Sequence, residues 1–411
     1  MKIVGVIAEY NPFHRGHLYH IGKAKEQTGA DAVIAVMSGD FVQRGAPALL
    51  PKHLRAAMAL EAGVSLVLEL PVWCACGSAE YFASGAVSVL DQLGCVDSLC
   101  FGSECGDLPS LSRAARILEE EPEDFRAALK AALSRGLSFP RARQEALVSC
   151  AGSADAGAVM EEPNNILGVE YIRAILRRGS RLEPATVRRE GSGYHDQAPD
   201  PSYSSATAIR RLILEAGKDG LPAALRDQVP APSARILAES YGSRYPVYAD
   251  DFSLLLKYRL LTESAAGLAS FADVTEDLAN RIAGRLNGYL SFAQFCSLLK
   301  TKEMTYARIS RCLLHILLGI RGTDMDAFRA AGGCGYARVL GFRRDAAPLL
   351  NLLKKTSAIP LVTKPSRASL SGCARRMFES DLYAANLYES VVTDKFRTPF
   401  IHECRQQVVI V

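Results

Sequence analysis

The first twenty residues constrain the fold more than any other stretch. Ile3-Val4-Gly5-Val6-Ile7 is an unbroken apolar run, the pattern of a strand buried on both faces. Ala8-Glu9-Tyr10-Asn11-Pro12-Phe13-His14-Arg15-Gly16-His17 follows at once, and Leu18, Ile21 and Ala24 then recur at helical spacing. A buried strand that turns directly into a helix is the opening unit of an open α/β sheet. Ligands of such sheets bind beyond the carboxyl ends of the strands, where helix amides point at anionic groups. Two histidines flanking a glycine at that junction are therefore candidate phosphate ligands. His14 and His17 share one helix face, and His20 continues the series. The plainer reading of the pair is one capping and one packing histidine.

Downstream, strand-like runs alternate with helical patterns. Strands are expected over 3–8, 32–37, 64–70, 97–101 and 184–189, and helices over 52–62, 80–93, much of 108–150, and 163–175. Beyond about residue 225 the strand signals fade, and helical spacing carries 252–261, 275–286, 292–299, 306–318 and 346–353. At 411 residues two domains are expected. These are a Rossmann-like parallel-sheet domain over 1–225 and a mostly α-helical domain over 226–411, with 359–362 as a lone strand.

Eleven cysteines, an odd number without a paired CxxC, argue for reduced thiols rather than a disulfide or zinc framework. Cys95, Cys100 and Cys312 sit in apolar runs, where cysteine behaves as a small hydrophobe. A reducing, cytoplasmic setting is expected from this usage. No secretory leader or spanning segment is legible, so no membrane partner is expected. The net charge of +4 neither demands nor excludes nucleic acid. Its distribution is more informative. Between 338 and 376 stand Arg338, Arg343, Arg344, Lys354, Lys355, Lys364, Arg367, Arg375 and Arg376 against the single acid Asp345, the footprint expected of phosphate-backbone contact. Lys300, Lys302, Arg308 and Arg311, with Tyr306, form a second basic stretch.

His14-x-Gly16-His17 resembles the HIGH signature of nucleotidyltransferases and class I tRNA synthetases. Ser204-Ser205-Ala206-Thr207-Ala208-Ile209-Arg210 resembles the second signature of the same superfamily. Four further motifs join them: Ser38-Gly39-Asp40-Phe41-Val42-Gln43-Arg44-Gly45, Phe101-Gly102-Ser103-Glu104, the run from Pro163-Asn164-Asn165 to Tyr171, and Arg188-Arg189 to Asp196. Together they resemble the bacterial tRNA(Met) cytidine acetate ligase family. Three positions depart from its pattern: Ala46 stands where glutamate is expected, Glu190 where an apolar residue is more usual, and Tyr203 where isoleucine is usual.

The resemblance implies an enzyme that binds ATP along Ile7, Ala8, Glu9, Tyr10, Asn11, Pro12, Phe13, His14, Arg15, Gly16, His17, Leu18, Tyr19 and His20. Gly102 is implied to let the nucleotide approach the backbone, and Asn164 and Asn165 to meet the adenosine. Arg188, Arg189, Ser204, Ser205 and Arg210 are implied to hold the phosphates, and residues 191–196 to form a lid. His14 and His17 carry the catalytic role. The implied reaction joins acetate, through acetyl-adenylate, to the wobble cytidine of elongator tRNA(Met). Mg2+ would ride on the phosphates, no protein metal site is expected, and DNA is not an expected partner. Two other readings fit parts of the pattern: an adenylyltransferase for another small acceptor, and a tRNA-binding protein with a vestigial nucleotide site.

Overall fold

The first strand occupies the middle of a twisted sheet because Ile3, Val4 and Val6 are all wholly buried. A computed structural model describes residues 1–151, 157, 159–189, 205–225 and 227–411. The strands are β1 (Ile3–Ala8), β2 (Ala32–Ser38), β3 (Phe41–Val42), β4 (Ala46–Pro47), β5 (Leu66–Leu70), β6 (Ser98–Ser103), β7 (Glu183–Arg188), β8 (Ala337–Phe342), β9 (Leu361–Val362) and β10 (Val409–Ile410). The main sheet runs β10-β8-β5-β2-β1-β6-β7, with β9 also on β8. β5, β2, β1, β6 and β7 are mutually parallel, which places all their carboxyl ends on one edge. β3 and β4 form a small antiparallel hairpin beyond that edge.

Seven helices matter below: α1 (Arg15–Thr28), α2 (Lys52–Glu61), α3 (Ala79–Gln92), α4 (Pro163–Arg178), α5 (Ala206–Leu225), α6 (Tyr306–Leu318) and α7 (Gly372–Phe396). Side chains alternate across the sheet with the period of two that a strand imposes. Val4, Val6, Val33, Ala35 and Met37 join one core with Ile21 of α1, Ala56 and Met58 of α2, and Ile209 and Ile213 of α5. Ile3, Ile34, Val36, Leu66 and Leu68 join the other with Val87 and Leu90 of α3, Val169 and Ile172 of α4, and the helices beyond residue 249.

The sheet does not end where the sequence signals fade. β8 pairs antiparallel with β5, setting Val67 opposite Gly341 and Glu69 opposite Arg338, while β9 and β10 lie parallel to β8. The expected lone strand near 359–362 is thus a ladder member, and the sheet itself crosses the boundary expected at 225/226. The 25-residue α7 also carries no expectation from the sequence reading. Among the described residues, no helix is long and apolar enough to cross a membrane.

Charges, not only hydrocarbon, hold the carboxyl edge together. Arg55 of α2 has no exposed surface. Its Nε donates to Leu50 O at 3.0 Å, and Nη1 donates to Glu9 O at 2.6 Å and Ser38 O at 3.0 Å. Nη2 donates to Gly39 O. Four carbonyls of three loops are thereby satisfied by one guanidinium, a task its planar fork of donors suits. Beside it, buried Lys52 lies 2.7 Å from Glu69 and 2.8 Å from Glu403. Arg338 lies 3.2 Å from Glu69 and also donates to Glu403. Arg338, read from the sequence as part of a basic surface, is therefore an internal counter-ion at 2% exposure. Arg343 is likewise committed, to Asp345 at 2.8 Å, and Arg375 to Glu379 at 2.8 Å.

Replacing Arg55 with leucine would strand four buried acceptors, each costing on the order of 1 kcal/mol or more. The Arg55→Leu protein is expected to unfold at a markedly lower urea midpoint, a loss of about 3 kcal/mol or more. A midpoint equal to the parent's would refute the role given to this side chain.

Candidate active site

A cleft of about 270 Å3 opens over the carboxyl ends of β1, β6 and β7. Its floor is the turn between β1 and α1, and the two histidines make that turn. His14 is the N-cap of α1, with extended backbone at φ −132°. Its Nδ1 accepts from Gly16 N at 3.1 Å, while His17 Nδ1 accepts from His14 N at 3.2 Å. The pair is a reciprocal capping box built from imidazoles, where serine and glutamate would be usual. The rings stack, centroids 3.6 Å apart and planes 27° apart. A Cβ at Gly16 would sit 3.0 Å from His14 Cε1, so the glycine gives the capping ring its space. The capping reading and the ligand reading of the histidines are thus compatible, because each uses a different nitrogen.

Removal from water, then the charges of Arg189 and Arg210, push the His14 pKa down to about 3. Desolvation, with His14, Arg189 and His20 nearby, holds His17 well below its ordinary range. His20, whose Nε2 is 3.8 Å from Cys100 Sγ, is pushed down to about 4 by desolvation and Arg189. Both capping rings are therefore neutral at pH 7. Since Nδ1 accepts in each, the proton sits on Nε2 and makes it a donor. Tyr10, in the left-handed region at φ 48°, buttresses His17 edge-on at 5.0 Å.

The cationic wall comes from two elements. Arg188 ends β7, and Arg189 N donates to Ser103 O at 2.9 Å, continuing the ladder one residue further. The Arg189 stem crosses Gly102, whose added Cβ would meet Arg189 Cγ at 3.4 Å. Arg210, one turn into α5, donates to Asn11 O at 2.8 Å and Thr207 Oγ1 at 3.0 Å. Ser205 caps α5 by accepting from Ala208 N at 3.1 Å.

Of the residues expected at the nucleotide, Ile7, Ala8, Glu9, Tyr10, Asn11, His14, Gly16, His17, Tyr19, His20, Gly102, Asn164, Arg188, Arg189, Ser205 and Arg210 line this one cleft. Pro12, Phe13, Arg15, Leu18 and Asn165 are not among its lining. Phe13 is wholly buried beside Tyr10, Leu18 is 41% exposed, and Arg15 turns away to Asp227 at 3.6 Å. Asn165 Oδ1 accepts from Glu104 N at 3.0 Å and Cys105 N at 3.2 Å, a structural post. Ser204 and the lid expected over 191–196 lie outside the described residues.

Sequence reasoning assigned no role to Glu104, which accepts from Asn165 N at 2.8 Å and from Asn164 Nδ2 at 2.5 Å. It thereby caps α4 and aims Asn164 at the cleft. Arg55 was also missed. Its signal was a cation on the apolar face of α2, in register with Met58 and Ala59. Val42, Gln43, Arg44 and Ala46 of the β3–β4 hairpin form a further wall, fixed by Glu9 Oε1 accepting from Gln43 N at 2.9 Å. All eleven cysteines are free thiols.

Comparison with known proteins agrees with this geometry. The HIGH Nucleotidyl Transferase family model matches residues 1–400. A tRNA(Met) cytidine acetate ligase of Acetivibrio thermocellus is 41% identical over 392 residues, 94% of each chain. The protein of that name from Caldanaerobacter subterraneus subsp. tengcongensis is 41% identical over 389 residues, 94% of this chain and 95% of its own. The chain belongs to the tRNA(Met) cytidine acetate ligase family. Thermotoga maritima TmcAL, a solved member, superposes in its apo form with a TM-score of 0.93 at 34% identity over 100% of both chains. Its crystal form bound with alpha-thio ATP gives 0.90, again over 100% of both chains. Within this family frame, the Rossmann-like nucleotidyltransferase fold read from the first strand and turn stands.

The two nitrogens of His14 separate cap from chemistry. His14→Asn keeps an acceptor where Nδ1 lies, so α1 stays capped and stability stays within about 0.5 kcal/mol, whereas His14→Ala costs about 1 kcal/mol. Both variants lose Nε2 and should lower nucleotide-dependent turnover by about 10²-fold or more. The asparagine variant also removes a titration. An imidazole pushed from 6.5 to about 3 stabilises the fold fully above pH 6.5, and that contribution is lost as pH falls toward 3. The Tm of His14→Asn should therefore fall less steeply with acid than the parent's, and equal slopes would count against the assignment.

Proposed function

We propose that this protein is an ATP-dependent ligase that acetylates the N4 amine of the wobble cytidine of elongator tRNA(Met), in the cytoplasm. The observation that carries the reading is the stacked, neutral His14–His17 pair facing three arginines at the carboxyl edge of the sheet. In the first step an acetate oxygen attacks the α-phosphorus of ATP in line. The bond to the bridging oxygen breaks, and pyrophosphate leaves with the electron pair. His14 and His17 donate their Nε2 protons as hydrogen bonds to phosphate oxygens. Arg188, Arg189 and Arg210 balance the charge that gathers on the leaving group. Asn164, held by Glu104, and the backbone of residues 7–10 receive the adenosine. In the second step the cytidine amine attacks the acetyl carbonyl, AMP departs and the amine loses its proton. A base amine is a weak nucleophile, so prior activation of the acetate supplies what the acceptor lacks.

Glu9 is the single carboxylate among the described lining residues, and one of its oxygens already accepts from Gln43. Among the described residues the cleft therefore offers no carboxylate cage of the kind that holds Mg2+. Magnesium would enter on the nucleotide's own phosphates, and no step is assigned to it.

The deciding experiment supplies labelled acetate and ATP with total bacterial tRNA, followed by nucleoside mapping. Label in N4-acetylcytidine at one position of tRNA(Met) is expected. His17→Ala should abolish acetate-dependent exchange of pyrophosphate into ATP while still binding tRNA. A fully active variant would sink the role given to the imidazoles.

A further inference from the structure

We propose that residues 300–311, where the helical half meets the cleft, form the surface that receives the acceptor RNA, with cations on its phosphates and Tyr306 as a stacking platform. The proposal rests on the ligase reading above for the identity of the RNA. It is carried by where the chain places its two basic stretches.

The cleft wall formed by the β3–β4 hairpin leans directly on α6. Gly45, at φ +77°, lies so close that an added Cβ would fall 2.4 Å from Arg311 N and 2.7 Å from Arg311 Cα. Ser310 Oγ donates to Gly45 O at 2.7 Å. The neighbours of Gly45 in that hairpin line the cleft, so the first turns of α6 are its outer rim. Along this rim the chain carries Lys300, Lys302, Arg308 and Arg311 against one acid, Glu303. Lys300 and Lys302 are exposed, Arg308 and Arg311 half-buried. The buried Nε of Arg311 has no hydrogen-bond partner, and Asp273 is the acid that faces this guanidinium. Tyr306 is 39% exposed at the first position of α6, and Thr305 caps the helix by accepting from Arg308 N at 3.3 Å. Cations interleaved with an aromatic suit single-stranded RNA, whose phosphates take the charge and whose splayed bases stack.

The first half of the longer basic stretch lies elsewhere. Arg343 N donates to Ser65 O, immediately before β5 begins. The helix Ala347–Thr356 ends with Thr356 Oγ1 donating to Leu93 O at 2.8 Å, in the segment leading into β6. Arg343, Arg344, Lys354 and Lys355 therefore stand at the edge where the parallel strands start, opposite the cleft. Arg338 is buried.

The test measures tRNA binding across salt concentrations for Lys300→Ala/Lys302→Ala/Arg308→Ala, for Tyr306→Ala, and for Lys354→Ala/Lys355→Ala as the comparator. Acetate-dependent pyrophosphate exchange is read in parallel on every protein. The triple variant should bind at least about tenfold more weakly with a log–log salt slope shallower by about 2, and Tyr306→Ala should bind about tenfold more weakly. Exchange should stay within about twofold of the parent, and the comparator should bind normally. If the triple variant folds poorly, Lys300→Ala/Lys302→Ala carries the same test with a slope change of about 1. Normal binding by the 300–308 variants, or an equal loss in the comparator, overturns the proposal. Parent protein that binds tRNA through this rim but shows no exchange upholds the surface and removes the ligase reading instead.

Discussion

Everything at the working edge of this sheet is laid over the buried guanidinium of Arg55. Parallel strands end with carbonyls pointing at nothing, and loops that turn tightly beyond them expose more. Here the backbone beyond β1, the end of β2 and the approach to α2 converge on one side chain that satisfies all four oxygens. A lysine could place a charge there but not four directed bonds. Because Glu9 O is one of the four, the turn that carries Asn11 and His14 is set by a residue more than forty positions away. Asn11 Oδ1 then accepts from Leu49 N at 2.8 Å, closing the same loop from the other side.

The histidine pair shows how the side chains that cap a helix can at the same time present donors to a cleft. Capping consumes the two Nδ1 atoms and locks the tautomer, so the donors offered to the cleft are fixed before any ligand arrives. Preorganisation of this kind matters because donors that need no reorientation stabilise a developing charge at least cost. The depressed pKa values follow from the same packing. Imidazolium in this place would face Arg189 and Arg210 with its own positive charge, so the neutral form is the one the surroundings accept.

Legibility in the sequence tracked periodicity and locality. β1, β2, β5 and β6 are short, largely apolar runs readable from their own residues, whereas β7, Glu183-Pro184-Ala185-Thr186-Val187-Arg188, was read from its place between a helix and a glycine-bearing loop. β8 was not readable. Its sequence, Ala337-Arg338-Val339-Leu340-Gly341-Phe342, contains an arginine that looks like surface and becomes interior only because Glu69 and Glu403 arrive from distant parts of the chain. The cleft was readable where motif and local turn coincide, as at His14, Gly16 and His17. It was less so where a residue's side chain could turn either way. Asn164 and Asn165 are adjacent on α4, yet Asn164 lines the cleft while Asn165 is bonded to the backbone at residues 104 and 105. Glu104, which decides between them, carries no local pattern.

The antiparallel seam between β5 and β8 has a temporal side. Residues 66–70 leave the ribosome well before their partner strand, residues 337–342, and are apolar but for Glu69. Throughout synthesis of the intervening helices, one flank of the nascent sheet presents unpaired backbone, and Glu69 has Lys52 beside it but still lacks Arg338. An open edge of that kind invites pairing with other chains. The late strand brings both the hydrogen-bonding partner and Arg338, so the same event seals the edge and adds the second cation beside Glu69.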